Sequence, residues 1–351
     1  DYKDGLVVYI PGFGGDLGTY SKVFCEKVSQ SHKLAALTLN YFCIGSRPAT
    51  GARFEIDKAE KPKIRQVFQE LGGSGEASLE KINDLLMNTN NFLRLKGTLE
   101  PTKSEYQNFG VLAALDIINA IKDAVKRFDL KIDNVILVGS SYGGYLANLV
   151  TKIYPGLVRA VFDNSSWAHP NLSYIIGREL GTAEFSYQIL PKIILDLNVK
   201  TPWTHQLGLP NTFSTDRKEI RSFTRSQLEQ MYVQGGQDTF YVFYHAESDQ
   251  IADTKEKVEM VNQMVMLGFK NIMMKVMDHS DVDGVLVKNL NHGMGMSMVK
   301  FFESCYSMLE EVNPNFQFNS TLGSSQYLLE SMRYDFELST DYAYGRVEVI
   351  T

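Results

Sequence analysis

A serine between glycines follows a short apolar run, in the motif Gly139-Ser140-Ser141-Tyr142-Gly143. In Gly-x-Ser-x-Gly, the serine occupies a sharp turn between a strand and a helix, and only small neighbours tolerate its strained backbone. An apolar run at residues 134–138 precedes the motif, and a helical pattern at 145–152 follows it. This context predicts that Ser141 is a nucleophile. The N–H of Tyr142 would lie at a helix N-terminus, where negative charge is favoured. The alternative is a glycine-rich turn without chemistry.

A second glycine-rich loop, Pro11-Gly12-Phe13-Gly14-Gly15, follows the apolar run at residues 6–10. Glycines let backbone N–H groups approach a substrate closely. In a serine hydrolase, the second half of the oxyanion hole comes from a loop in this position. We predict that the N–H of Phe13 stabilises an oxyanion, with Gly14 as the second choice. A tight turn that needs glycines for its geometry alone is the alternative.

Two histidines follow the last apolar run, which spans residues 272–276. A serine hydrolase needs a base to take the proton of the serine, and the loop after the last strand is where such a fold presents it. We favour His292 because a glycine follows it and a helical pattern begins at once. His279 is the rival, and a lone histidine is more often a surface or packing residue.

The acid is expected between the serine and the histidine in chain order. Asp249 is our choice because residues 245–249 follow the apolar run at 240–244. Glu247 and Asp163 are alternatives, the latter at the end of the preceding run. Such an acid holds the tautomer of the histidine and stabilises the imidazolium. Capping of a helix is the competing role, which Asp253 serves better.

The elements that must position these residues alternate between strand and helix. This alternation predicts an α/β fold with a mostly parallel central sheet and right-handed crossovers. The predicted strands are residues 6–10, 33–39, 134–138, 158–162, 240–244 and 272–276. Helical patterns between them include residues 20–30, 109–128 and 254–267.

Two long segments interrupt the alternation. Residues 1–163 and 239–312 are expected to form the core, with a helical insertion at about 47–102 that holds helices at 63–71 and 78–95. Residues 164–238 are expected to form a largely helical cap or lid. Trp167 and Trp203 of this cap are candidate substrate-binding residues, because tryptophan stacks on sugar faces, although packing is their commoner role.

Composition excludes several classes of protein. The 351 residues carry a formal charge of −6, which argues against a nucleic-acid partner because no basic stripe faces phosphates. The three cysteines fit neither a disulfide framework nor a zinc site, which favours a reducing, cytoplasmic location. No apolar run reaches the roughly 18 residues of a membrane span, and the first residues do not resemble a signal peptide. Neither a metal nor an organic cofactor is implied, and homo-oligomer formation stays open.

The chain also resembles known families. Ser141-Tyr142-Gly143-Gly144-Tyr145 is similar to the nucleophile turn of the prolyl-oligopeptidase branch of the α/β-hydrolases. Further runs resemble the uncharacterised domain of unknown function 2920, found in Campylobacter and Helicobacter relatives: residues 106–110, 113–128, 139–149, 163–165, 283–284 and 289–294. The resemblance covers about 106–302, and more loosely the loop at 11–15. It implies an α/β-hydrolase fold. That family often lies near flagellin-glycosylation genes, which implies sugar-related substrates.

The tail, residues 313–351, alternates like two strands at 334–338 and 346–350, which indicates a hairpin. An α/β-hydrolase normally has an antiparallel hairpin before the strand with which this chain begins. We therefore expect the tail to complete the sheet edge and to bring Thr351 close to Asp1.

Together these features favour a serine hydrolase that cleaves a carboxyl ester through an acyl-enzyme on Ser141. Its candidate substrates are small acyl esters or O-acylated sugars and glycans. An acyltransferase, or a peptidase of the prolyl-oligopeptidase kind, is one alternative. A non-catalytic binding protein on a hydrolase scaffold is another, since fold does not fix function.

Overall fold

The computed structural model describes residues 2–312, 318, 323–339 and 341–350. These residues form thirteen strands: β1 (Leu6–Ile10), β2 (Ala35–Thr38), β3 (Arg53–Ile56), β4 (Leu93–Glu100), β5 (Val135–Ser140), β6 (Ala160–Asn164), β7 (Phe185–Leu190), β8 (Ile193–Val199), β9 (Phe240–Ala246), β10 (Ile272–Met277), β11 (Ser325–Leu328), β12 (Met332–Leu338) and β13 (Ala343–Val349). They also form ten α-helices: α1 (Thr19–His32), α2 (Lys61–Glu70), α3 (Leu79–Leu86), α4 (Val111–Phe128), α5 (Tyr142–Ile153), α6 (Gly177–Leu180), α7 (Thr215–Glu219), α8 (Arg225–Val233), α9 (Thr254–Leu267) and α10 (Met298–Val312).

The chain divides into two compact units. The core unit comprises Asp1–Phe42, Phe109–Pro170 and Ser214–Thr351. The insert unit comprises Cys43–Asn108 and Asn171–Phe213.

The core unit is built on a six-stranded sheet in the order β10-β9-β6-β5-β1-β2, and every neighbouring pair is parallel. Each of its strands overlaps one of the six predicted apolar runs. Strands β1, β6 and β9 are buried along their whole length, as expected for a parallel sheet covered on both faces.

Helices cover both faces of this sheet. On one face, alternate residues of β1 and β5 join a core cluster with Phe24 of α1 and with Phe301 and Phe302 of α10. The opposite face, which takes the other alternate residues, carries α5, which packs on β5 and β6 and against α4. The predicted mostly parallel sheet flanked by helices is therefore confirmed, and the arrangement is that of the α/β-hydrolase fold.

The insert unit contains a four-stranded mixed sheet in the order β3-β4-β8-β7. The parallel pair β4–β8, from Leu93↔Ile193 to Leu99↔Val199, joins two segments about a hundred residues apart. The structure corrects three expectations. The second insertion is not largely helical, and residues 171–213 form one unit with residues 43–108, whereas 164–170 and 214–238 belong to the core unit. In the first insertion, the predicted helix at 78–95 ends at Leu86 and gives way to β4.

The tail forms an antiparallel hairpin, β12–β13, but this hairpin pairs with β11 in a separate three-stranded sheet. Within the described residues it does not extend the six-stranded sheet, which corrects the expectation that it completes the edge. Tyr327 of β11 and Tyr334 and Phe336 of β12 are buried, and Tyr327 donates a hydrogen bond to the Lys152 carbonyl at the end of α5. The expected proximity of Asp1 and Thr351 lies outside the described residues. Among those residues, every helix is too short or too polar to cross a lipid bilayer.

Candidate active site

Ser141 lies between β5 and α5, with backbone angles of φ 57° and ψ −124°. This strained conformation is held by two hydrogen bonds. Its N–H donates to the Asn164 carbonyl at 2.7 Å, and its carbonyl accepts from the Tyr145 N–H at 3.0 Å. The motif glycines allow the turn to pack closely, because a Cβ on Gly143 would lie only 1.9 Å from the Ile10 oxygen. The sequence motif therefore forms the sharp strand-to-helix turn that it predicts.

The glycine-rich loop after β1 lies beside this turn. A Cβ on Gly12 would contact Ser141 Cβ at 3.4 Å. The loop closes through a hydrogen bond from the Gly15 N–H to the Gly12 carbonyl, and Tyr41 donates to the Pro11 carbonyl at 2.6 Å. The Phe13 ring stacks on the Tyr142 ring with centroids 4.0 Å apart. The structure thus brings both segments predicted to supply the oxyanion hole to the carboxyl ends of the adjacent strands β1 and β5.

His292 lies in the loop between β10 and α10, and its side chain is 16% exposed. Its Nε2 lies 2.7 Å from Ser141 Oγ, and its Nδ1 lies 2.8 Å from Asp249 Oδ2. Because a carboxylate only accepts hydrogen bonds, Nδ1 carries the ring proton of the neutral imidazole. Nε2 is then left to accept the hydroxyl proton of Ser141, which is the geometry of a general base.

Asp249 lies in the turn after β9, and its side chain is fully buried. Its Oδ1 accepts the N–H groups of Ile251 at 2.8 Å and Ala252 at 3.0 Å. Burial raises the pKa of the Asp249 carboxyl. The hydrogen bonds from His292 and from these two N–H groups outweigh burial, so its pKa lies below its ordinary value. The Asp249 carboxyl is therefore ionised at neutral pH.

Two ring side chains that sequence reasoning did not place here brace the Asp249 turn. His245 Nε2 donates to the Ala252 carbonyl at 2.8 Å, and Trp167 Nε1 donates to the Ile251 carbonyl at 2.8 Å. The Trp167 ring also lies 5.9 Å from the His292 ring. Both hydrogen bonds are accepted by backbone carbonyls. Every residue has a backbone carbonyl, so the sequence does not indicate which ones accept these hydrogen bonds.

The predicted alternatives lie elsewhere. Glu247 and His279 are exposed, the latter on a short 3₁₀ turn after β10. Asp163 is buried at the end of β6 and accepts hydrogen bonds from Lys257, Ser166 and Asn148. Of the candidate bases and acids, His292 and Asp249 form the hydrogen-bonded chain with Ser141.

The two tryptophans occupy different units. Trp167 is 4% exposed and belongs to an aromatic cluster in the core unit with Phe13, Phe109 and Tyr142. Its burial favours a packing role over an open face for a sugar. Trp203 lies in the insert unit against Phe213, on the wall of a cavity of about 290 Å³.

The described residues contain no cluster of three or more His, Cys, Asp and Glu side chains arranged to hold a metal ion.

Comparisons with known proteins identify one family and several similar solved structures. The model of the family described as "Protein of unknown function (DUF2920)" matches residues 1–337. None of the curated proteins compared with the chain matches it.

Among solved structures, Arabidopsis thaliana SOBER1 is 14% identical with a TM-score of 0.42, and the match covers 88% of this chain and 100% of SOBER1. Est1E from Butyrivibrio proteoclasticus, solved with ferulic acid bound, is 13% identical with a TM-score of 0.42, over 89% of this chain and 91% of Est1E. The acylaminoacyl peptidase of Pyrococcus horikoshii is 11% identical with a TM-score of 0.45. That match covers 92% of this chain but 39% of the peptidase, so this chain spans well under half its length.

Proposed function

The chain belongs to the family described as protein of unknown function (DUF2920), and we propose that it is a serine hydrolase that cleaves a carboxyl ester through an acyl-enzyme on Ser141. One observation carries the proposal. Ser141 Oγ, both nitrogens of His292 and the Asp249 carboxylate form a continuous hydrogen-bonded chain, with links of 2.7 and 2.8 Å. These are the residue types and contacts that activate a serine.

In the first half of the reaction, Ser141 Oγ attacks the acyl carbonyl carbon while His292 Nε2 takes the hydroxyl proton. The carbonyl oxygen becomes an oxyanion, which the N–H groups of Tyr142 and Phe13 stabilise. The carbon–oxygen bond to the alcohol then breaks, His292 returns the proton to the leaving alkoxide, and an ester on Ser141 remains. Asp249 stays ionised and stabilises the transient imidazolium.

In the second half, water attacks the acyl-enzyme and His292 takes a proton from that water. Collapse of the second tetrahedral intermediate releases the carboxylic acid and returns the proton to Ser141 Oγ. Helix α5 begins at Tyr142, so its positive end supports the negative charge in both halves.

The chemistry of the site supports an ester substrate, and the resemblance in sequence supports a sugar-related one. Small acyl esters and O-acylated sugars or glycans are the proposed substrates, with Trp203 a proposed binding residue. Acyl transfer to another acceptor would use the same acyl-enzyme, so only the fate of that intermediate distinguishes transfer from hydrolysis.

A fluorophosphonate probe and a small acetyl ester test the proposal. We expect the wild-type protein to be labelled on one serine and to release acetate. Ser141→Ala should lose both properties while its circular dichroism and melting temperature stay close to those of wild type. Ser226→Ala, at an exposed position of α8, is the matched control and should keep both. Wild-type protein that is folded but never labelled would refute the proposal and favour the binding-protein alternative. Labelling without turnover by water would favour acyl transfer.

A further inference from the structure

Asn164 is the last residue of β6, and its side chain is fully buried between two segments of the candidate site. It lies opposite Ser140 in the β5–β6 register, one position before Ser141. Burying an amide without hydrogen bonds is unfavourable, so the partners of this side chain show what it holds.

The Asn164 amide group bridges the serine turn and the histidine loop. Its Nδ2 donates to the Gly293 carbonyl and to Ser140 Oγ, each at 3.1 Å. Gly293 directly follows His292, and Ser140 directly precedes Ser141. One planar group therefore links the neighbours of both reacting side chains.

The main chain of Asn164 adds a third link, because its carbonyl accepts the Ser141 N–H at 2.7 Å. The orientation of the amide is fixed by its partners. The Gly293 carbonyl can only accept, so it must face the NH₂ group. Ser165 Oγ donates to Asn164 Oδ1 at 3.0 Å on the other side, which opposes rotation of the amide.

The histidine loop needs such an anchor. Gly293, Met294 and Gly295 all have positive φ angles, from 53° to 74°, a run that favours neither helix nor strand. A Cβ on Gly293 would meet Ser140 Oγ at 3.6 Å, so the loop packs directly on the serine turn. Asn164, at the end of β6, donates hydrogen bonds to both the histidine loop and the serine turn and so links these two segments.

We propose that Asn164 is a positioning residue that holds His292 Nε2 within reach of Ser141 Oγ. This inference rests on the proposed function. It goes beyond that function because it assigns a role to a residue of β6 that touches neither the substrate nor the reacting atoms. A displacement of about 1 Å in a reacting group costs about 100-fold in rate, so loosening this bridge should lower kcat and leave KM nearly unchanged.

Three variants test the bridge. Asn164→Asp keeps the shape, loses both donated hydrogen bonds and sets a carboxylate against the Gly293 carbonyl. Asn164→Ala removes the side chain, and Asn164→Ser keeps one donor. Active sites are counted from fluorophosphonate labelling that is carried to completion, so kcat refers to folded protein even where a variant is partly unfolded or is labelled slowly.

We expect kcat per labelled site for the acetyl ester to fall about 10- to 100-fold in the alanine and aspartate variants, with KM within about threefold of wild type. The serine variant should fall between them and wild type. The aspartate variant should also shift the acid limb of the kcat/KM profile to higher pH, because its carboxylate favours the imidazolium. A purely structural role would lower the melting temperature of the variants without lowering kcat per labelled site.

Unchanged kcat per labelled site in the alanine and aspartate variants, with active wild-type protein, would overturn the inference even if both variants melt at lower temperature. Wild-type protein that is neither labelled nor active would instead refute the proposed function, and this inference would fall with it. Asn83→Ala, at a buried asparagine of the insert unit, is the matched control and should keep the wild-type kcat.

Discussion

Lys257 Nζ lies 3.0 Å from Asp163 Oδ2, and each of the two charged side chains is 1% exposed. Ser166 Oγ completes the group, because it donates to the same carboxylate oxygen at 2.6 Å and accepts from Lys257 at 2.8 Å. Burial lowers the pKa of the Lys257 ammonium, and the Asp163 carboxylate opposes that shift. Two buried charges offset their desolvation by this mutual pairing together with such additional hydrogen bonds. The pair therefore ties α9 to the end of β6.

Removing one partner of this pair should strongly destabilise the protein. Lys257→Met leaves the Asp163 carboxylate buried without its cation, and we expect the free energy of unfolding to fall by about 3–5 kcal/mol. The double variant with Asp163→Asn should recover part of the loss, because it leaves no buried charge. Urea unfolding gives the free energy of unfolding of wild type, the Lys257→Met variant and the double variant. Lys131→Met, which breaks an exposed ion pair with Asp4, is the control and should leave stability nearly unchanged. A loss no greater than that of the control would contradict the role of the pair.

Asp249 and Glu247 lie two residues apart, but only Asp249 contacts the histidine. Asp249→Asn should lower kcat for the acetyl ester by about 10⁴-fold, because an amide no longer fixes the tautomer that accepts the Ser141 proton. Glu247→Gln, at an exposed position of the same turn, should keep kcat within about twofold of wild type. Steady-state kinetics on the two variants make the comparison. A larger loss in the glutamate variant would reverse the assignment.

The candidate triad could be predicted because each of its residues follows an apolar strand. In a parallel sheet the carboxyl ends of the strands meet at one edge, so residues far apart in sequence come together there. The prediction of the candidate triad therefore depended mainly on chain position, because Ser141 follows β5, Asp249 follows β9 and His292 follows β10. The contacts that orient them could not be predicted, because Trp167 and His245 donate to backbone carbonyls.

The insert unit shows where local patterns stop being informative. Residues 93–100 alternate in burial along β4, and that period of two was a usable signal for a strand. The partner strand β8 lies about a hundred residues later in the chain. Neither sequence run contains a signal that predicts its pairing with the other. The tail is a similar case. Its alternation predicts a hairpin, but the surface that buries Tyr327 and Phe336 depends on the packing of the whole core unit.

His292 and His279 allow a direct test of the base. His292→Ala removes the only side chain seen to accept the Ser141 proton in the described residues, and we expect kcat to fall by about 10⁴- to 10⁶-fold. His279→Ala removes an exposed imidazole and should change kcat by less than about twofold. For each variant, hydrolysis of the acetyl ester and the rate of fluorophosphonate labelling are two separate measurements of the loss of activity. If the His279 variant were the inactive one, the two residues would exchange roles.

His245 should make folding stability depend on pH. Burial lowers the pKa of its imidazole below the ordinary value of 6.5; the hydrogen bond to the Ala252 carbonyl and the Asp249 and Asp163 carboxylates oppose burial, and Lys257 reinforces it. The folded protein therefore holds His245 neutral at pH values where the unfolded chain takes up a proton. The stabilisation is fully present above about pH 6.5 and is lost as the pH falls through the folded-state pKa.

We expect the free energy of unfolding of wild type to decrease between pH 7.5 and pH 5.5, and His245→Gln should reduce that decrease. Glutamine keeps a donor for the Ala252 carbonyl but cannot titrate. His169, whose pKa burial also lowers, remains in both proteins, so the variant should retain some pH dependence. Urea unfolding at the two pH values gives the comparison. An equal decrease in the two proteins would show that His245 is not the titrating group, and a larger one in the variant would reverse the sign argued here.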